Sequence, residues 1–174
     1  MKTEFSIRNE EALSHTAYLL LGSNLGNKDA LLQQALDSIA KLGTITALSQ
    51  RKETAPWGFT EDVPPFLNQV VCLQTALQPE PLLTACQAIE NELGRDREAE
   101  AAQSKAQSAD TGRGLGKRNY TSRLIDIDIL LYDRLQYSSP TLTVPHPRLL
   151  ERPFAMELLQ EILPKDISLQ DFYR

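Results

Sequence analysis

Between Arg123 and Tyr132 the chain alternates with period two: Ile125, Ile127, Ile129 and Leu131 fall on one side, Asp126, Asp128 and Leu130 on the other. That pattern predicts a strand over 123–132 with one face buried. Four large aliphatics on the buried face anchor the strand and hold the two carboxylates rigidly. At i and i+2 those carboxylates lie a few ångströms apart, and two such anions repel unless a cation sits beside or between them. Mg²⁺ takes one or two carboxylates and completes its shell with phosphate oxygens and water, so the pair suits metal-bound ATP. An Asp-x-Asp that is merely solvated gives the same spacing.

Basic residues gather around this strand in a chain of net charge −5. Arg95, Arg97, Arg113, Lys117, Arg118 and Arg123 all precede the Asp pair. Arg113, Lys117 and Arg118 read equally as a solvated loop or as phosphate contacts. Arg123 starts close to the expected metal and suits bidentate phosphate binding. Gly112-Arg113-Gly114-Leu115-Gly116-Lys117 is not a P-loop, because Thr111 replaces its first glycine and Arg118 its final hydroxyl residue. His146 is pinned between Pro145 and Pro147, with Arg148 and Arg152 behind it, which favours a ligand over a structural role. Thr54-Ala55-Pro56-Trp57-Gly58 forms a rigid turn. Phe66 and Asn68 share a strand face and could stack on a flat heterocycle and bond its edge. From spacing alone, core packing is the simpler reading of Phe66.

Apolar residues 17–21 predict a buried strand, and the Gly22–Asn27 turn ends in a good helix N-cap. Leu31, Leu32, Ala35, Leu36, Ile39 and Leu42 recur at helical spacing up to Gly43. Extended chain is expected over 44–53 and a strand over 66–76. Pro79 and Pro81 open a second helix with the stripe Leu82, Cys86, Ile89 and Leu93, and Gly94 is its expected stop. Residues 98–117 lack periodicity and read as a long loop, either a lid or an insertion without a role. A short helix is predicted from Pro153 to Ile162. The order strand, helix, strand, strand, helix, strand is the split βαβ arrangement, an α+β sandwich with an antiparallel sheet and helices on one face.

With 174 residues, the chain is read as an N-terminal extension, residues 1–16, and a single domain, residues 17–174. Its acidity argues against general nucleic-acid binding. No apolar run approaches the roughly 20 residues of a membrane span. The N-terminus has no apolar stretch of a secretory signal, so the expected compartment is the cytoplasm, with Cys72 and Cys86 as reduced core residues. No obligate protein partner is evident.

Taken together, the segments resemble the 6-hydroxymethyl-7,8-dihydropterin pyrophosphokinase family of folate biosynthesis from about Ala17 to Pro164. The carriers are Gly22-Ser23-Asn24-Leu25-Gly26, Glu53-Thr54-Ala55-Pro56-Trp57-Gly58, Pro65-Phe66-Leu67-Asn68 and Ile89-Glu90-x-x-Leu93-Gly94-Arg95. They continue through Arg123-Leu124-Ile125-Asp126-Ile127-Asp128-Ile129-Leu130, Val144-Pro145-His146-Pro147-Arg148 and Arg152-Pro153-Phe154. The resemblance implies a ferredoxin-like fold and transfer of diphosphate from ATP to the pterin hydroxymethyl group, releasing AMP. It implies two Mg²⁺ on Asp126 and Asp128, with Arg95, Arg97, Arg123, Arg152 and His146 at the triphosphate. Arg95, Arg97, Asp126 and Asp128 are then the catalytic set. Gln87, Glu90, Ile129 and Thr143 match positions lining the nucleotide site, and Tyr120 stands near it where the family often has Trp. The pterin would lie between Phe66 and Phe154, its edge read by Asn68 and the backbone of Thr54, Ala55, Pro56 and Trp57. Asn119, Ala55 and the 98–117 insertion also depart from the family's commonest pattern. A nucleotide-sensing module and an interaction domain are the rival readings; in either, substituting the aspartates removes no activity.

Overall fold

The apolar run that begins at Ala17 becomes β1 (His15–Ser23), an interior strand of the sheet. The computed structural model describes residues 15–54, 65–105 and 124–174, for 95–105 the backbone alone. Strands β4 (Phe66–Thr75) and β5 (Asp126–Tyr132) flank β1, and every pairing is antiparallel. β2 (Gly43–Leu48) and β3 (Lys52–Thr54) follow one another along the outer edge of β4.

Helix α1 (Lys28–Ile39) starts where the sequence signals it: Asn27 Oδ1 accepts from the Ala30 N–H at 3.1 Å. Gly26, in the turn before it, has φ 65°, a conformation that a side chain disfavours. α1 buries Leu32, Ala35, Leu36 and Ile39 against Ala17, Leu19 and Leu21 of β1. α2 (Pro79–Lys105) adds Leu82, Cys86 and Ile89 to the same cluster. The opposite sheet face carries Tyr18, Leu20, Val70 and Cys72 and is covered by Ala155, Leu158 and Leu159 of α3 (Pro153–Ile162). The expected antiparallel α+β sheet is present, but helices lie on both faces rather than one. The physical reason is in β1, whose residues 17–21 are apolar on both sides and so need two covering layers.

Two further differences come from local chemistry. α2 runs through Gly94 to Lys105, so 98–105 is helix where a loop was expected. Residues 95–105 are mostly Arg, Glu, Ala, Gln and Lys, whose helix propensity outweighs the roughly 1 kcal/mol that an interior glycine costs. The remainder of that expected loop, 106–117, and residues 1–14 of the expected extension lie outside the described residues. In β5, Tyr18 faces Leu131 while Leu19 faces Ile129, which leaves Leu130 as a bulge. The bulge reverses the alternation, and Leu131 joins Leu130 on the α3 side instead of the isoleucine side.

After β5 comes a small hairpin, β6 (Tyr137–Ser138) and β7 (Thr143–Val144), and the Val144–Pro145 peptide is cis. Among the described residues no helix is long and apolar enough to cross a membrane. Cys72 and Cys86 are free and buried, as their apolar setting implied.

Gly43 faces Thr75 where β2 meets β4, and a Cβ on it would stand 1.9 Å from the Gln74 carbonyl oxygen. Gly43→Ala must therefore push the two strands apart. It is expected to cost about 1–3 kcal/mol of stability, read from the urea midpoint. An unchanged midpoint would show that β2 shifts freely.

Candidate active site

The register places Asp126, Gly22 and Asn68 in one row across β5, β1 and β4, and Asp128, Leu20 and Val70 in the next. Strands lie about 4.8 Å apart, so the Asn68 amide and the Asp126 carboxylate stand two strand spacings apart on the α3 side. Nothing rises between them because residue 22 is glycine. A Cβ there would come within 3.2 Å of Asn68 Oδ1 and 3.8 Å of a Phe66 ring carbon.

A cavity of about 230 Å³ opens over this floor. Thr54, Phe66 and Asn68 line one side, Asp126 and Asp128 another, and Arg148, Glu151, Arg152 and Phe154 come from the segment leading into α3. Asn68 Nδ2 donates to the Lys52 carbonyl at 3.1 Å and to Thr54 Oγ1 at 2.8 Å. Those acceptors set the amide's orientation, so Oδ1 faces Gly22 and offers the cavity an acceptor. Arg152 Nη1 donates to Asp128 Oδ2 at 3.3 Å. Lys52 Nζ reaches Glu157 Oε2 of α3 at 2.6 Å, tying β3 to the helix that begins beside Phe154.

β5 is an edge strand, and its outward backbone groups need partners. The Ile127 N–H, between the two aspartates, donates to Glu90 Oε2 of α2 at 2.6 Å. The Leu130 carbonyl, at the bulge, accepts from the His146 N–H at 2.9 Å. Ser23 Oγ donates to the Leu124 carbonyl at 2.5 Å. The backbone that aims both carboxylates is thus held from three sides.

A second cavity, of about 270 Å³, lies between β5 and the β6–β7 hairpin, lined by Leu83, Ile129, Leu142, Thr143 and His146 among others. Asp128 lines both cavities. His146 Nδ1 accepts from the Arg148 N–H at 3.1 Å, so the neutral ring carries its proton on Nε2. Burial lowers the His146 pKa below its ordinary 6.5; Asp128 opposes this, and Arg152 and Arg148 reinforce it. The imidazole is neutral at pH 7. The Cys86 thiol is pushed up to about 12 by burial, then by Glu90 and Asp128, and is unreactive.

Asp126, Asp128, Arg152, Thr54, Phe66, Asn68 and Phe154 therefore meet at one cavity, and Ile129, Thr143 and His146 at the other. Glu90 bonds the strand backbone, and Gln87 is exposed on α2 and lines neither cavity. Arg95 and Arg97 lie on α2, but their side chains, like Ala55, Pro56, Trp57, Arg113, Lys117, Arg118, Tyr120 and Arg123, fall outside the described residues. No cluster of three or more His, Cys, Asp or Glu able to hold a metal occurs among the described residues. Sequence reasoning missed Gly22, Glu151 and the hairpin residues 139–142 as parts of the site. The glycine was visible as a turn signal and as part of a family motif, without a role at the site, and the hairpin carries no signal of its own.

Glu90→Ala leaves the Ile127 N–H without its carboxylate. The expected loss is about 1–3 kcal/mol in chemical denaturation, with faster hydrogen exchange at the Ile127 amide. Unchanged exchange there would show that Glu90 does not hold the strand.

Comparisons with known proteins identify the family. The family model described as 7,8-dihydro-6-hydroxymethylpterin-pyrophosphokinase (HPPK) matches residues 18–164. A Porphyromonas gingivalis protein named 2-amino-4-hydroxy-6-hydroxymethyldihydropteridine pyrophosphokinase is 40% identical over 151 residues, covering 84% of this chain and 90% of its own. A Bacillus subtilis protein of the same name is 38% identical over 152 residues, covering 86% of this chain and 79% of its own. Among solved structures, a Plasmodium falciparum HPPK-DHPS matches with TM-score 0.61 at 14% identity, over 92% of this chain. This chain covers 45% of that one, and at such identity the likeness shows the fold alone. By the family model and the close relatives together, the chain belongs to the 7,8-dihydro-6-hydroxymethylpterin-pyrophosphokinase family.

Proposed function

We propose that this pyrophosphokinase binds the hydroxymethyl dihydropterin in the first cavity and ATP in the second, and joins them beside Asp128. The observation that carries the reading is that this carboxylate lines both cavities. In the first, the Phe66 and Phe154 rings accept a flat heterocycle, and Asn68 Oδ1 accepts from its N–H edge. In our reading the backbone groups of Ala55, Pro56 and Trp57 would recognise the rest of that edge.

Asp126 and Asp128 would hold Mg²⁺, two ions in our proposal. The fit rests on the donor set: oxygen atoms only, two carboxylates on one strand face, and no cluster of three protein ligands among the described residues. That leaves coordination places for phosphate oxygens and water, as Mg²⁺ requires. When bound, Mg²⁺ supplies charge neutralisation on the phosphates and acidifies a nearby hydroxyl.

The hydroxymethyl oxygen forms a bond to the β-phosphorus in line with the bond that breaks. The bridging oxygen to the α-phosphate keeps the electron pair and leaves as part of AMP, and the hydroxyl proton passes to water. Most of the catalysis is positioning and electrostatics. Arg152, already paired with Asp128, sits where it can turn to the phosphates, with Arg95, Arg97 and Arg123 as the further guanidiniums and Tyr120 beside the nucleotide. His146, neutral with its proton on Nε2, donates to a phosphate oxygen. Ile129 and Thr143 belong to the nucleotide side, Gln87 follows Leu83 along α2 outside that cavity, and Glu90 acts through the strand backbone. The substrates are small molecules, and no protein partner enters the proposal. Two free buried thiols suit a cytoplasmic setting.

Incubation with ATP, Mg²⁺ and 6-hydroxymethyl-7,8-dihydropterin is expected to release AMP. Asp126→Asn and Asp128→Asn should each lower that rate by roughly 10²–10³-fold or more with little change in melting temperature. Wild-type turnover in either variant would refute the assignment. Gly22→Ala places a methyl against Asn68 Oδ1 and the Phe66 ring. It should raise KM for the pterin about tenfold and leave KM for ATP alone; a rise confined to ATP would mean the two cavities have been assigned in reverse.

A further inference from the structure

The β6–β7 hairpin walls the second cavity through Ser139, Pro140, Thr141, Leu142 and Thr143. Each of its strands has two residues, and so short a ribbon does not hold itself. Leu142 and Val144 anchor it in the core. Its tip is held by Glu80, in the first turn of α2. Glu80 Oε2 accepts from the Tyr137 hydroxyl at 2.7 Å and from Ser139 Oγ at 2.6 Å, and Oε1 accepts from Thr141 Oγ1 at 2.7 Å. Ser139 Oγ in turn accepts from the backbone N–H groups of Leu142 at 3.0 Å and Thr141 at 3.2 Å. The loop backbone is therefore tied through one hydroxyl to one carboxylate.

Several features make that carboxylate a firm anchor. Negative charge is favoured at a helix N-terminus. The three hydroxyl bonds, Ser139 first, then Thr141 and Tyr137, lower the Glu80 pKa below its ordinary value, so it stays ionised. An ionised carboxylate is acceptor-only and can take all three protons at once, which an amide cannot. Glu80 itself lines neither cavity.

We propose that Glu80 is a positioning residue for the nucleotide, holding the hairpin at the distance from Leu83 and β5 that ATP fills, and so setting affinity for ATP without affecting the pterin. The inference rests on the second cavity being the nucleotide's. A merely structural role would move both substrates' constants together, whereas a latch on one wall separates them.

The test is calorimetric binding of a non-hydrolysable ATP analogue with Mg²⁺ to the full chain, alongside steady-state kinetics, with His146→Ala as the control. Glu80→Ala should weaken analogue binding and raise KM for ATP about tenfold, and Glu80→Gln about threefold, with KM for the pterin and kcat within about twofold. If His146→Ala weakens the analogue and Glu80→Ala does not, the latch is wrong while the nucleotide assignment stands. Should neither variant weaken it, the cavity assignment fails and takes the latch with it. Equal rises in both KM values also overturn the latch. Where Glu80→Ala does not fold, Tyr137→Phe removes a single hydroxyl and keeps the ring. It should raise KM for ATP about twofold to threefold, and an unchanged value rejects the latch.

Discussion

The register of β5 on β1, and of β1 on β4, governs the rest of the molecule. Ile125, Ile127 and Ile129 are buried against α1 and α2, and each contributes roughly 1.5–3 kcal/mol by leaving water. Two like charges a few ångströms apart near a wet surface cost on the order of 1–4 kcal/mol. Burial therefore wins, and the strand is held with Asp126 and Asp128 facing the α3 side. A slip of one residue would exchange the two sets, putting carboxylates into the core and isoleucines into the cavity. The same packing that stabilises the sheet aims the chemistry.

One sheet face serves two purposes along its length. Toward one end Tyr18, Leu20, Val70 and Cys72 carry the core beneath α3. Toward the other the row Asp126, Gly22 and Asn68 is left open, with Phe154 and Arg152 brought over it by the start of α3. The site is a gap in the α3 layer rather than a hollow in the core, which is why the cavity has a rigid floor. At the edge of β5, Glu90 and His146 take up backbone groups that would otherwise invite another strand, and both belong to elements beside the second cavity. Satisfying an edge and shaping a binding wall are here the same contacts.

Much of this was legible in order along the chain. The α1 cap at Asn27, the start of α2 at Pro79, the whole of α3 and the alternation of β5 up to Ile129 are local events, driven by side-chain spacing and backbone preference. The carboxylate pair and the proline-flanked His146 stood out for the same reason, since their neighbours restrict where they point, whereas Phe66 and Arg152 took their site roles from the family resemblance. The errors fall where a local signal was outvoted. Gly94 reads as a stop, yet the helix-forming residues after it carry α2 onward. Leu131 breaks the alternation because a bulge one residue earlier turns it over, and a bulge depends on the partner strand.

By itself, the amino-acid sequence determined the principal strands and helices, the carboxylate-bearing strand and the family, because spacing, caps and motifs act over a few residues. Only the tertiary structure decided that Asn68 and Asp126 share a row across a glycine, that α3 closes the second face, and that Asp128 stands between two cavities. It also decided that Glu80 and a hairpin over fifty positions later would meet. Those relations come from strand register and layer packing, which sum small energies over distant residues and leave no mark on any short stretch of chain.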